Sequence, residues 1–233
     1  MPYSEVGKED YPIVKHLCVT LCVFLILAVL GTTTWAMPTY RGYTGLMLIP
    51  TADALGRGDF NAGVFFEDVG SGVVNDFIFN YGVIDGLEVG IDRFRLDNDS
   101  SAETFLNGKY RFLSETDQQP AIAGGVIDLT NEDQTTVYVV ASKALSTPVC
   151  TYEGEVTNPR VHVGIGGGKF SPVFAGVSAY LGQRVELMLA WDSRETQVGA
   201  RFRVTPGLTV HAGFFDVFNR GTFGVGVSFG RYY

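Results

Sequence analysis

Two of the three histidines in the 233-residue chain, His162 and His211, stand at positions where charged and small residues alternate with apolar ones. A histidine beside a serine and an orienting acid is the arrangement that runs acyl transfer. Ser142, Ser178 and Ser228 look like ordinary strand positions, and no nucleophile motif adjoins either histidine, so no catalytic residue is assigned and an enzyme is not expected. The run GIGGGK, Gly164 to Lys169, lacks the spacing and the following Ser or Thr of a phosphate loop. It reads as a strand end where glycine permits close backbone approach. Of the three cysteines, Cys18 and Cys22 fall in an apolar run and Cys150 stands alone after it. That leaves no disulfide and no Cys-x-x-Cys zinc site in the later chain, and no metal or cofactor is assigned.

The remaining polar candidates share one strand face: Glu88, Asp92, Lys109, Arg111, Asp128, Arg160, His162, Glu186, Asp192, Arg201, Arg203 and His211. Their signs are mixed. Inside a narrow lumen they would neutralise one another, because unpaired buried charge is costly. A constriction selecting an anionic sugar is the functional alternative, but a filter calls for a ring of one sign. Ion pairs filling a lumen are therefore the expectation.

The elements that would hold these residues are strands. After Pro38 no stretch has the 3.6-residue period of a long helix; side-chain character alternates with period 2, and Gly, Asn, Asp or Pro separates the segments. Phe77, Phe79 and Tyr81 share one face, opposite Asp76, Asn80 and Gly82 with Ile78. Val198, Ala200, Phe202 and Val204 oppose Gln197, Gly199, Arg201 and Arg203, and Phe223, Val225, Val227 and Phe229 oppose Gly224, Gly226 and Ser228. About twelve such segments can be counted between 60 and 233, near ten residues each, the length a tilted strand needs to cross a bilayer. A soluble sandwich uses shorter strands.

The reading is all-β: an antiparallel transmembrane β-barrel of about twelve strands. An even strand number puts both termini on the periplasmic side, with tight connections at 84–86, 182–184 and 205–207, while 95–101, 131–133 and 219–220 face outward. The long connection 145–158 falls on the periplasmic side, against the usual asymmetry.

Leu17 to Leu30 form a 14-residue apolar run, suited to a signal-peptide core and short for a span. Thr34 and Ala36 place small residues at the positions signal peptidase reads, so cleavage after Ala36 is expected. The organisation is then a signal peptide over 1–36, an N-terminal segment over 37–58 forming a periplasmic turn or plug, and the barrel over 59–233. A net charge of −8 with no basic cluster excludes a nucleic-acid partner. The apolar row from Phe223 to Phe229 and the aromatic Tyr233 are similar to the C-terminal signal read by the barrel-assembly machinery, although Arg231 interrupts the row.

GYTGLMLIPTADALGRGDFNAGVFF from Gly42 to Phe66, GGVIDLTNEDQTTVYVVASKAL from Gly124 to Leu145 and LMLAWDSRETQVGARFRVTPGL from Leu187 to Leu208 resemble segments of the YjbH-like family of outer-membrane exopolysaccharide proteins. Thr44, Gly45, Leu46, Pro50, Thr51 and Ala52 carry the first match, and Pro50 breaks any strand begun at Leu46. Better-known members are much longer. The resemblance implies a cell-outer-membrane barrel, non-enzymatic, serving exopolysaccharide biosynthesis, export or surface assembly. Its implied partners are outer-membrane lipid, polysaccharide and periplasmic export proteins. Two other readings stand beside it. An outer-membrane lipid-modifying enzyme would need His162 or His211 to meet a serine at the rim. A soluble periplasmic ligand-binding barrel would turn its apolar residues inward.

Overall fold

A computed structural model describes residues 36–97, 99, 101–145, 149–151, 154–182 and 184–231. The expected leader, up to residue 35, and Tyr233 lie outside the described residues. The strands are β1 (Phe60–Asp68), β2 (Val73–Ile84), β3 (Leu87–Leu96), β4 (Glu103–Leu113), β5 (Ala121–Ile127), β6 (Thr136–Ala144), β7 (Val149–Thr151), β8 (Gly154–Gly166), β9 (Val173–Leu181), β10 (Val185–Trp191), β11 (Thr196–Arg203), β12 (Leu208–Phe215) and β13 (Thr222–Arg231).

Every neighbour in the sheet is antiparallel, β1 pairs with β13, and β6 pairs with β8, so twelve strands close into a barrel. Closure removes the free edges that an open sheet of this size would present. The thirteenth, β7, pairs antiparallel with the start of β8, so that strand pairing occurs within the long 145–158 connection. The sequence reading has a plain loop there. Phe60 pairs with Arg231, which puts the start of β1 and the end of β13 at one end of the barrel. The strand ends joined in β2–β3, β9–β10 and β11–β12 share that end, whereas those joined in β1–β2, β3–β4, β5–β6, β8–β9, β10–β11 and β12–β13 lie at the other.

The alternation sets two surfaces. Outward positions carry Val64, Val89, Leu106, Val139, Ile165, Val177, Leu189, Val210 and Val227, all exposed. Outward aromatics form two bands: Phe66, Trp191, Phe214 and Phe223 toward the end opposite the termini, and Tyr81, Tyr110, Phe112, Phe202 and Phe229 toward the terminal end. An apolar belt between aromatic girdles is the surface of a barrel solvated by lipid. A soluble barrel requires the reverse arrangement of apolar and polar faces, which the outward residues do not show.

The lumen is filled. Residues 36–59 run inside it as turns instead of a strand, with short bridges from Pro38 to Thr44 and from Gly45 to Pro50. Arg41 reaches the far half of the barrel, where it meets Glu67 and Asp76. The chain then returns, and the Leu55 carbonyl accepts from Gly86 N at the terminal end, 3.3 Å. Tyr40, Leu46, Met47 and Ile49 from this plug pack in one cluster with Phe65, Ile78, Phe174 and Phe215 from the wall, all 2% exposed or less. The Tyr40 ring lies 4.5 Å from Phe65 and 5.2 Å from Phe215. Wall glycines make the room. Gly199 and Gly213 are cross-strand partners, and Cβ atoms built on them would fall 2.2 Å from Met47 Sδ and 2.0 Å from Met47 Cε. A Cβ on Gly176 would stand 2.7 Å from Leu46 and 2.8 Å from Ile49. The glycine content that marks the sequence is spent here on complementarity to the plug.

Candidate functional site

The plug needs anchors because its backbone polar groups are buried away from water. Glu88 and Lys109 are direct cross-strand partners on β3 and β4, 3.2 Å apart, with side chains 2% and 1% exposed. Lys109 Nζ donates to the carbonyls of Thr44 at 2.9 Å, Thr51 at 3.2 Å and Asp53 at 2.5 Å, and to the Thr44 hydroxyl. Glu88 accepts from Thr44 N at 3.1 Å, from the Thr44 hydroxyl at 2.7 Å and from Leu55 N at 3.0 Å. One ion pair therefore gathers four plug residues.

A second anchor forms across the barrel. Glu186 and Arg201 pair across β10 and β11 at 3.1 Å. Arg201 also donates to the carbonyls of Pro38 at 2.9 Å and Gly45 at 2.7 Å. Its Nε donates to His211 Nδ1, 3.2 Å, so His211 carries its own proton on Nε2 and gives it to the Ser228 hydroxyl at 2.7 Å. The fixed guanidinium fork suits this post, since it serves an acid, two carbonyls and an imidazole at once.

His162 and Ser142 are cross-strand partners 2.8 Å apart, and Ser142 Oγ accepts from Ala52 N at 2.8 Å. His162 Nε2 lies 3.5 Å from Ser178 Oγ. Both histidines do meet serines, but buried in the lumen and away from the rim, at 2% and 1% exposure, and Ser142 holds plug backbone. Arg160 closes the terminal end of the lumen on Asp53 and Glu115, 3.0 Å each.

Five of the twelve expected lumen residues lie apart from this lattice. Asp128 follows β5 at φ 58° and organises its turn, accepting from Thr130, Glu132 and Asp133. Asp192 does the same in the 192–195 turn, accepting from Arg194 N, Glu195 N and the Gln197 amide. An aspartate at a strand end satisfies local N–H groups before it can reach a lumen. Arg111 and Arg203 are half-buried at the terminal rim, the latter near Met37, Tyr180 and Arg184. Asp92 is inside, fully buried, but contradicts the pairing expected of it: neither carboxylate oxygen has a hydrogen-bond partner among the described residues.

The family-motif residues Thr44, Gly45, Leu46, Pro50, Thr51 and Ala52 all lie in the plug, where Thr44 and Ala52 bond the wall directly. Sequence reasoning missed Arg41, Asp53, Glu67 and Asp76, which take part in three of the plug's ion pairs. It also missed three amides that bond the plug, Asn61 to Ala36 O at 3.1 Å, Asn107 to Gly42 O at 2.7 Å and Gln197 from Leu48 N at 3.3 Å, with Asn80 donating to Asn61 at 2.7 Å behind the first. The period-2 phase identifies the inward side of the strand residues. Nothing in the sequence pairs them with a segment that is not a strand.

Burial opposes ionisation of Asp128, but N–H donation from Asp133, the Thr130 hydroxyl and Glu132 N–H outweigh it and hold the carboxyl below its ordinary value. A depressed folded pKa stabilises the turn above the unfolded value of about 4 and is lost as pH falls through the folded value. The 128–135 loop is accordingly expected to resist cleavage by pepsin near pH 4 and to be nicked as pH is lowered further. Asp128→Ala should be nicked already at the higher pH, and equal resistance of the two forms would contradict the assignment.

These features define a class: a closed twelve-stranded transmembrane-type β-barrel whose lumen is plugged by the segment before its first strand. No family model and no curated protein sequence matches the chain. Among solved structures it is similar to the N-terminal β-barrel domain of Pseudomonas aeruginosa OprF, at 13% identity over 76% of this chain and 99% of that one, with a TM-score of 0.25. The class is read from the strands, belt and lumen themselves.

Proposed function

We propose that the chain is a non-enzymatic outer-membrane barrel serving the synthesis, export or surface assembly of envelope polysaccharide, as a plugged scaffold instead of an open pore. The observation that carries the scaffold reading is the plug, tied to the wall by the Glu88–Lys109 and Glu186–Arg201 pairs. Mixed charges spent on pairing are not free to line a conduction path. A lipid-modifying enzyme would need an accessible nucleophile, whereas Ser142 is committed to Ala52 N and His162. The polysaccharide role is supported by the resemblance of segments 42–66, 124–145 and 187–208.

Two experiments test the parts separately. Cells expressing the chain should yield it in the outer-membrane fraction, with different gel mobility before and after boiling in detergent; a soluble protein without a heat shift would end the membrane reading. Cells lacking the protein should lose most of their surface-bound or secreted polysaccharide and regain it on complementation. Unchanged polysaccharide would end that role while leaving the barrel intact.

A further inference from the structure

We propose that the mouth of the barrel opposite the termini binds an organic ammonium ligand, an aliphatic amine or polyamine. This site does not depend on the polysaccharide role. A cavity of about 250 Å³ opens there, walled by Phe94, Glu103 and Phe105 on β3 and β4 and by Glu132 and Asp133 of the 128–135 loop, with Arg41 of the plug and Lys169 also lining it.

The rings show what the cavity favours. Phe94 and Phe105 lie 5.9 Å apart at 53°. The Arg41 guanidinium stands 5.7 Å from the Phe94 centroid, and Lys169 Nζ stands 5.1 Å from that of Phe105. Both rings thus already receive a tethered cation at cation–π distance, beside carboxylates. The cavity wall is therefore formed for an ammonium group before any ligand arrives.

The local charge leaves room for more positive groups. Arg41 is committed to Glu67 and Asp76, and Lys169 to Asp133 at 3.1 Å. Among the described residues no cation pairs with Glu103 or Glu132. Behind them Asp92 lies two positions below Phe94 on the same inward face of β3, 0% exposed, both carboxylate oxygens without a hydrogen-bond partner; Asp76 Oδ1 has none either. The carboxylates of Glu103 and Glu132 favour an added cation in the cavity they line. An anionic ligand would meet the same field as repulsion. No group of three acid, histidine or cysteine side chains stands close enough to hold a metal ion among the described residues, so a multivalent amine, which needs faces and separated carboxylates, fits better than an inorganic cation.

The test is titration calorimetry of spermidine into the intact protein in detergent, at fixed ionic strength. One saturable site is expected. Glu103→Gln should weaken it about tenfold, the worth of one partly screened charge contact. Lys169→Met, which removes the tethered competitor from Phe105 and Asp133, should tighten it several-fold. Each variant is used only if it keeps the heat-dependent gel shift, and the two opposite changes are read separately, so a misfolded one leaves the other decisive. Absence of saturable heat, displacement by magnesium at equal ionic strength, equal binding of a neutral disaccharide, or unchanged affinity in a folded variant would each overturn the proposal.

Discussion

Lys109→Met should lower the stability of the folded barrel by about 3–5 kcal/mol, because it leaves Glu88 charged and unpaired in a dry lumen. The same change strips the donor from the carbonyls of Thr44, Thr51 and Asp53, so the plug loses its tether in the middle of its path. The expected readout is a folded gel band that disappears at a clearly lower temperature than in the unaltered chain. Glu88→Gln combined with Lys109→Met removes both charges and should recover much of the loss, as buried pairs replaced together usually do. If the single change left the transition temperature unmoved, the pair would not be the anchor that its geometry makes it.

Gly199→Val is expected to expel the plug. A Cβ there would stand 2.2 Å from Met47 Sδ, and Met47 is 1% exposed and already packed over both Gly199 and its cross-strand partner Gly213. The barrel wall should survive, since the added side chain lies in a strand and β-branched residues suit strands. The plug should instead become cleavable by added protease, with new fragments cut between residues 37 and 58. Shortening the clashing partner by Met47→Ala in the same chain should restore protection. Protease resistance in Gly199→Val alone would mean that the lumen holds the plug too loosely for this contact to matter.

Much of the wall was legible because lipid outside and a filled lumen inside impose one rule on every strand. Phe77, Phe79 and Tyr81 could turn only outward, and Glu88, Lys109, Arg160 and Arg201 only inward, once period 2 was recognised. Register was not legible: that Glu88 faces Lys109 and that Glu186 faces Arg201 depends on turn lengths, which sequence places to within a few residues.

The path of the plug was hidden for a different reason, although a plug was one of the two readings of 37–58. Its backbone follows no period, so Leu46, Met47 and Ile49 read only as a short apolar run before a proline, and the apolar lumen they share with Phe65 and Phe174 has no counterpart in a barrel pictured as polar inside. Asp128 and Asp192 have the inward phase and still cap turns, because local N–H groups lie closer than any lumen partner.

The measurement that bears most directly on the plugged barrel is ion conductance across a planar lipid bilayer of the intact, heat-shifting protein, with the Gly199→Val variant in the same preparation as proof of insertion. The intact chain should pass no steady current, and the variant, its plug displaced, should pass one. A steady ohmic current from the intact chain would contradict the account, because a lumen packed with Tyr40, Met47, Phe65 and the Lys109 pair has no continuous path for ions.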